Sequence, residues 1–148
     1  MDGNYEQLKL ENQLCFPLYA CAKEIIRQYK PFLDPLDLTY TQYITMMVLW
    51  EQREISVKEL GDKLFLDSGT MTPLLKKLES KGYITRSRNA ADERSVTVAL
   101  TAEGLGLRDK AADVPKCVSS CVRMKPEEAF ELYTLLYKFL NGLKAGST

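Results

Sequence analysis

The chain contains no histidine, and this absence excludes several classes of function. Without an imidazole there can be no Ser–His or Cys–His catalytic pair and no histidine-ligated metal. The cysteines fall into the pairs Cys15-x5-Cys21 and Cys117-x3-Cys121, and neither pair has the C-x-x-C spacing of a zinc or redox site. We therefore expect no metal, no other cofactor and no enzymatic activity.

Long hydrophobic runs are also missing. No apolar segment approaches the roughly 18 residues of a membrane span, and residues 1–13 are too polar for a secretory signal peptide. Four cysteines are too few for a secreted disulfide framework. We expect a cytoplasmic protein without a membrane partner. Its 148 residues, 45% of them hydrophobic, suit one folded domain.

The chain has no net charge, because 20 basic residues balance 20 acidic ones, yet the charge is unevenly distributed. The segment from Lys76 to Arg94 contains six basic and three acidic residues. A local basic segment in a neutral chain indicates an anionic partner at that place.

Short polar residues that cap helix N-termini divide the middle of the chain into helices. The predicted caps are Thr39, Ser56, Asp67 and Thr101. The helices that they open are predicted over 40–52, 57–64, 68–81 and 102–112. Thr39 and Ser56 each have a Gln or Glu three residues later, which completes a capping box. The buried face of the helix after Thr39 is predicted to consist of Ile44, Met47 and Val48.

Apolar residues at steps of three and four predict a first helix. They are Leu10, Leu14, Leu18, Cys21, Ile25 and Tyr29. Pro17 falls inside this helix and should kink it, at roughly 3 kcal/mol, because it removes the N–H that would bond the Gln13 carbonyl. Pro31 is predicted to end the helix, and Cys21 is expected to fill the core.

The pattern changes from helical to alternating after Gly82. Residues 83–88 and 95–100 are predicted to form two strands, joined by a polar loop over 89–93. A helix pair followed directly by a hairpin predicts a winged helix–turn–helix. The fold class is therefore mostly α with a small β-hairpin.

A last helix is predicted to begin at Pro126 and to have a wide apolar stripe. The stripe consists of Phe130, Tyr133, Leu136, Tyr137, Leu140 and Leu143. The first and last helices lie outside the winged helix–turn–helix, and faces this apolar need a partner. We expect them to form a homodimer, although they could instead cover the core of their own chain.

A recognition helix needs small polar groups at its N-terminal end and an apolar back, and the helix after Asp67 has both. An arginine on the hairpin can enter a narrow minor groove, oriented by a neighbouring carboxylate. The predicted contacts to a pseudo-palindromic double-stranded DNA operator are Ser68, Thr70, Pro73, Lys76, Lys77, Arg86, Arg88, Asp92 and Arg94.

Several segments of the sequence resemble the MarR family of bacterial regulators. They are Asp67-Ser68-Gly69-Thr70, Leu74-Leu75-Lys76-Lys77-Leu78-Glu79-x-x-Gly82 and Asp92-Glu93-Arg94-Ser95-x5-Leu100-Thr101. The first helix is similar to that of the organic hydroperoxide resistance regulators (OhrR) in that family. The similar segments are Leu10-Glu11-Asn12-Gln13-Leu14-Cys15-Phe16, Leu18-Tyr19, Tyr29-Lys30-Pro31 and Leu38-Thr39-Tyr40-x-Gln42-Tyr43. The resemblance implies a single MarR-type domain over 1–148, with dimerisation helices at about 9–32 and 102–143 around a winged helix–turn–helix at about 39–101.

The resemblance also implies a dimeric repressor whose Cys15 is oxidised by organic hydroperoxides, which releases DNA. It implies that Tyr29 and Tyr40 reach the thiolate of the other subunit and that Tyr19 lies close by. In two-cysteine members a resolving cysteine sits near Cys117 or Cys121 of the partner, whereas one-cysteine members form mixed disulfides with small thiols. The position of Cys15 in the first turns of a helix agrees, because the positive end of the dipole favours a thiolate.

Four other interpretations remain open on the residues alone. Cys15 could be an inert core thiol, the commonest fate of a free cysteine. The chain could be a thiol peroxidase, although the first helix has no Thr-x-x-Cys motif. It could be a metal sensor with four thiolates, or a regulator that answers a phenolic ligand in the dimer cleft while Cys15 is structural.

Overall fold

The structure is a computed structural model, and it describes residues 3–89 and 91–146, apart from the side chains of Asn89, Glu93 and Arg94. The α-helices in these residues are α1 (Cys15–Leu33), α2 (Tyr40–Gln52), α3 (Val57–Leu64), α4 (Ser68–Ser80), α5 (Ala102–Ala111), α6 (Val114–Cys121) and α7 (Pro126–Ala145). The strands are β1 (Glu54–Ser56), β2 (Ile84–Asn89) and β3 (Asp92–Leu100). One compact unit ends at Val118, and a second begins at Ser119.

The sheet has three antiparallel strands in the order β1-β3-β2, so the hairpin has a third strand that the sequence did not predict. In β1, Ile55 is buried and lies opposite Val98. The predicted polar loop over 89–93 is wrong at both ends, because β2 continues to Asn89, which pairs with Asp92. The predicted winged helix–turn–helix is confirmed by α3, α4 and this hairpin.

The first helix begins later and ends later than predicted. Two short 3₁₀ turns over 6–12 precede it, and Gln13 is extended, so α1 starts only at Cys15. Pro17 is thus the third residue of α1, where the missing N–H would have no helical partner, and the expected kink and its cost were wrong. Pro31 does not end α1, which continues to Leu33. Because Pro31 has no N–H, the Arg27 carbonyl lacks its helical hydrogen bond. Arg27 is exposed, so a water molecule can donate to this carbonyl instead.

The core of the first unit is built around α2, although the predicted buried face of this helix was partly wrong. Tyr43, Met46 and Leu49 are buried, whereas Met47 is 44% exposed. Ile44 and Val48 are only half-buried against the core. Two apolar stripes run along α2 at helical spacing, so periodicity alone could not choose between them.

The predicted caps are confirmed because each is a local interaction. Thr39 Oγ1 accepts from the Gln42 N–H at 3.3 Å, and Gln42 Oε1 accepts from the Thr39 N–H at 3.1 Å. Ser56 and Thr101 cap α3 and α5 through their hydroxyls alone, so the capping box predicted at Ser56 lacks its return bond from the Ser56 N–H to Glu59. The first residues of α2, α3 and α5 are therefore set by the capping positions.

The base of the hairpin is held by one junction between the end of α4 and the start of α5. Gly82 has φ +81°, a left-handed conformation that favours glycine, and its carbonyl accepts from Thr101 Oγ1 at 2.6 Å. Gly104 packs so closely on Tyr83 that a Cβ would lie 2.2 Å from the Tyr83 carbonyl oxygen. Trp50 Nε1 donates to the Gly104 carbonyl at 2.8 Å. Helix α2 thus contacts the junction through Trp50.

The second unit consists mainly of α7, which begins at Pro126 as predicted. None of the α7 residues is buried, and Phe130 and Tyr133 are 73% and 60% exposed. An apolar helix face of this kind is expected to pack on another surface. Across the described residues, no helix combines the length and apolar character that a membrane span requires.

Candidate DNA-binding face and thiol site

Helix α4 has the two faces that a recognition helix requires. Asp67 Oδ1 accepts from the Thr70 N–H at 2.7 Å. Hydrogen bonds from the backbone and the side chain of Thr70 lower the pKa of the Asp67 carboxyl group. The buried side consists of Met71, Leu74, Leu75 and Leu78. The exposed side includes the predicted contacts Ser68, Thr70, Pro73, Lys76 and Lys77. The short polar groups therefore lie at the accessible N-terminal end, where a helix enters a groove.

Arg86 was predicted to contact DNA, but its guanidinium is paired with Glu79 of α4. Arg86 Nη2 lies 3.1 Å from Glu79 Oε1, and Arg86 Nε donates to Glu79 Oε2 at 3.3 Å. The backbone N–H of Arg86 also donates to Glu79 Oε2, at 3.2 Å. Hydrogen bonds from Arg86 lower the pKa of Glu79. The pair connects β2 to the recognition helix, a role of Glu79 that the sequence analysis missed.

The hairpin presents the remaining predicted contacts. Arg88 and Asp92 are exposed. The side chain of Arg94 lies outside the described residues, so its pairing with Asp92 stays a prediction. Arg88 is exposed near the tip of the same hairpin that the Glu79–Arg86 pair holds against α4.

Cys15 is exposed and is the first residue of α1. The residue at the capping position is Leu14, so no side chain accepts a hydrogen bond from the first-turn N–H groups. The first turn also contains no acidic residue. These N–H groups and the positive end of the helix dipole are therefore available to a negative charge at this position.

Tyr29 and Tyr40 lie together, with their ring centroids 4.9 Å apart. Tyr43 packs against both rings, at 5.8 Å and 6.4 Å. Burial raises the pKa of Tyr29, so its hydroxyl keeps its proton and remains a donor. These three residues form the tyrosine cluster, and the structure thus brings together two of the three tyrosines that were predicted to act on the thiolate.

Cys15 cannot reach the tyrosine cluster of its own chain. Tyr29 follows Cys15 by 14 residues on one helix, which separates them by about 21 Å along its axis at about 1.5 Å per residue. Tyr19 is one turn from Cys15, is 60% exposed and has Lys23 Nζ 5.3 Å from its ring centre. Of the three tyrosines predicted to act on the thiolate, Tyr19 is thus the one near Cys15 in the same chain.

The other cysteines occupy different surroundings. Cys21 is exposed, so its expected place in the core was wrong, because only the C-terminal half of α1 packs on the core. Cys117 is half-buried and Cys121 is exposed, and both lie on α6, one turn apart as predicted. Within the described part of the chain, no three cysteine or carboxylate side chains come together as metal ligands.

Comparisons with known proteins agree with this fold. Residues 27–110 match the protein family described as transcriptional regulator SarA/Rot. The organic hydroperoxide resistance transcriptional regulator of Bacillus subtilis (strain 168) is 46% identical over 143 residues, which cover 97% of each chain. Reduced AbfR bound to DNA has a TM-score of 0.79 and 32% identity, and the match covers 95% of this chain and 96% of AbfR. Disulfide-formed AbfR has a TM-score of 0.64 and 33% identity, covering 91% and 95%. AbfR is a protein of Staphylococcus epidermidis. This chain therefore belongs to the MarR family of transcriptional regulators, in the subgroup of the organic hydroperoxide resistance regulators.

Proposed function

We propose that this chain is a homodimeric repressor that binds operator DNA when reduced and releases it when an organic hydroperoxide oxidises Cys15. The B. subtilis relative is named for organic hydroperoxide resistance, and AbfR is known bound to DNA in its reduced form. The observation that supports the proposal most directly is the exposed position of Cys15 at an uncapped helix N-terminus. The uncapped helix N-terminus leaves backbone N–H groups that can donate to the thiolate, the form of a cysteine that reacts with a peroxide.

The oxidation step needs only the thiolate and the peroxide. The sulfur attacks the terminal peroxide oxygen, an S–O bond forms as the O–O bond breaks, and the leaving alkoxide takes up a proton from solvent. The products are a cysteine sulfenic acid and an alcohol. As the resemblance to the organic hydroperoxide resistance regulators implies, Tyr29 and Tyr40 of the partner subunit supply hydrogen bonds to the thiolate, and Tyr19 is near it in the same chain. The distance of the tyrosine cluster from Cys15 within one chain is consistent with this arrangement.

A second step converts the local oxidation into a larger movement. The sulfenic acid condenses with the thiol of Cys117 on the other subunit, or of Cys121 in its place, and releases water. AbfR is known with a disulfide, which is a precedent for this step. A disulfide requires Cα atoms within about 7 Å. Meeting that distance moves the helices that join the two subunits and changes the separation of the two recognition helices.

DNA binding uses the exposed face of α4 in the major groove and the hairpin in the adjacent minor groove. The whole chain acts as one MarR-type domain, with residues 9–32 and 102–143 joining the subunits around the winged helix–turn–helix. A two-fold dimer of this kind reads half-sites about 10 base pairs apart, centre to centre. The protein works in the cytoplasm as a regulator rather than as an enzyme.

The experiment that tests the proposal compares operator binding of the wild type and of Cys15→Ser before and after one equivalent of cumene hydroperoxide. Both should bind equally when reduced, and only the wild type should release DNA afterwards. Cys21→Ser is the matched control, since it removes another exposed thiol of the same helix and should behave like the wild type. Release of DNA by oxidised Cys15→Ser would refute the role of Cys15.

Non-reducing gels on the same samples examine the second step. A covalent dimer that forms in the wild type and is missing in Cys117→Ser supports the Cys15–Cys117 disulfide. If the covalent dimer is missing only in Cys121→Ser, Cys121 is the resolving cysteine instead. If the wild type releases DNA without any covalent dimer, a one-cysteine mechanism with a small-thiol adduct replaces the disulfide.

A regulator that answers a small phenolic ligand is the alternative. A cleft within the single chain is lined by residues of α3, α4 and the hairpin, including Met71, Thr72 and Arg86. Its volume of about 430 Å³ is within the size range of ligand pockets. Release of DNA from Cys15→Ser by salicylate, at a concentration that also acts on the wild type, would favour this function over redox sensing.

A further inference from the structure

Lys81 ends the recognition helix, but its side chain is directed to another element. It is the C-terminal capping residue of α4, and its side chain is only 25% exposed. The ammonium group donates to the backbone carbonyl of Asp37 and lies 3.4 Å from Asp37 Oδ2. It also donates to Gln42 Oε1 at 3.2 Å. Both partners belong to the turn and first residues of α2, about 40 residues earlier in the chain.

The acceptors of Lys81 are fixed in place by other interactions. Gln42 is 3% exposed, and its Oε1 also accepts from the Thr39 N–H as part of the capping box of α2. Asp37 has φ +53°, so its carbonyl is presented by a left-handed residue that closes the turn before α2. Lys81 therefore contacts the turn and the capping box that determine where α2 begins.

The first residue of α2 is Tyr40, a member of the tyrosine cluster. The path from the cluster to the recognition helix is therefore short. It runs along the backbone of α2 from Tyr40 to Gln42, which forms the capping box with Thr39, and from Gln42 to the ammonium group of Lys81. Charge-assisted hydrogen bonds are directional and lengthen beyond useful range when one partner moves by about 1 Å. A displacement of Tyr40 would thus pull on the end of α4 or break its connection.

We propose that Lys81 is a positioning residue that couples the tyrosine cluster to the recognition helix, so that oxidation of Cys15 changes the orientation of α4. This inference rests on the proposed function, since it needs Tyr40 to respond to the oxidation state of Cys15. It adds a specific mechanical connection between the thiol site and the DNA-binding face. A coupling role differs from a structural one because it affects the difference between two states.

The test uses full-length Lys81→Met, which keeps the aliphatic stem and removes the ammonium group. DNA affinity is measured for the reduced and the peroxide-treated protein, and mass spectrometry of Cys15 verifies equal oxidation. We expect near wild-type affinity when reduced and at least a fivefold smaller ratio of oxidised to reduced Kd. Lys81→Arg, which keeps the charge, should recover most of the wild-type ratio.

Lys77→Met is the matched control, because it removes the same charge from an exposed position on the last turns of α4. It should weaken DNA binding equally in both states and leave the ratio unchanged. A wild-type ratio in Lys81→Met would overturn the inference. Loss of DNA binding by reduced Lys81→Met would also overturn it, because Lys81 would then build the recognition helix and not transmit a signal. Failure of the wild type to release DNA on oxidation would instead refute the proposed function itself.

Discussion

The separation of Cys15 from the tyrosine cluster predicts that thiolate stabilisation operates only between subunits. Two mixed dimers distinguish tyrosines that act on the thiolate of the other subunit from tyrosines that act within their own chain. Each mixed dimer contains a single Cys15. In the first, a Cys15→Ser subunit with intact tyrosines is paired with a subunit that has Cys15 together with Tyr29→Phe and Tyr40→Phe. In the second, the two tyrosine substitutions are moved onto the Cys15→Ser subunit. The composition is identical, and only the position of the tyrosines changes.

The expected difference follows from the distances and from the chemistry of the thiolate. Tyr29 of the same chain is about 21 Å away along α1, far beyond hydrogen-bond range. Two hydrogen bonds to a charged group are together worth about 3 kcal/mol at the lower end of their range, which changes the ratio of thiolate to thiol by about 100-fold. A more basic thiolate is also more nucleophilic, which restores roughly a factor of ten. Where most of Cys15 is still in the thiol form, the first dimer should thus be oxidised up to roughly tenfold faster than the second.

The assay is the rate at which a sulfenic acid trap labels Cys15 in purified mixed dimers, made by co-expression with two different affinity tags. Wild-type dimers and dimers with both tyrosines replaced in both subunits give the two limits. Faster labelling in the second mixed dimer would refute the reasoning, since it would place the stabilising tyrosines on the same chain as the thiol. Equal rates would show that these hydroxyls do not stabilise the thiolate.

Two further predictions concern the DNA-binding unit. Glu79→Gln should weaken operator binding several-fold, about as much as Arg86→Gln does. The double variant should bind no more weakly than either single variant, because the two side chains act as one pair. Tighter binding by Glu79→Gln would mean that Arg86 contacts phosphate independently. Gly104→Ala should destabilise the protein by about 2 kcal/mol in chemical denaturation, because its Cβ would overlap the Tyr83 carbonyl oxygen. Gly106→Ala on the same helix, where nothing lies within 4 Å of the added Cβ, should be neutral or slightly stabilising, and equal losses in both variants would contradict this account.

The parts of the fold that the sequence predicted are those determined by local interactions. Thr39, Ser56 and Asp67 each bond an N–H three residues away, so a few adjacent side chains are enough to predict where α2, α3 and α4 begin. The start of α1 was not predictable in this way, since apolar residues at 10 and 14 fit a helix as well as they fit a 3₁₀ turn before an extended residue.

The candidate site shows the same division. The exposure of the predicted DNA contacts on α4 could be foreseen because they are neighbours on one helix, whereas their binding to DNA stays a prediction. The pairing of Arg86 with Glu79 and the contact of Lys81 with Gln42 were not found, because they depend on how separate elements pack. Strand β1 was missed for a related reason, since three residues have no alternating pattern and form a strand only by pairing with β3.

The clamped base of the hairpin makes it a lever. Thr97 is the outermost residue of β3 that pairs with β1, and it is five residues from Asp92 near the tip, which is about 17 Å in an extended strand. A rotation of about 5° of the hairpin about this paired base displaces the tip by about 1.5 Å, which is enough to break a hydrogen bond to DNA. The same rotation shifts atoms at the junction by only a few tenths of an ångström, which a packed core tolerates. Angular changes too small to disturb the interior can therefore decide whether the tip reaches its groove.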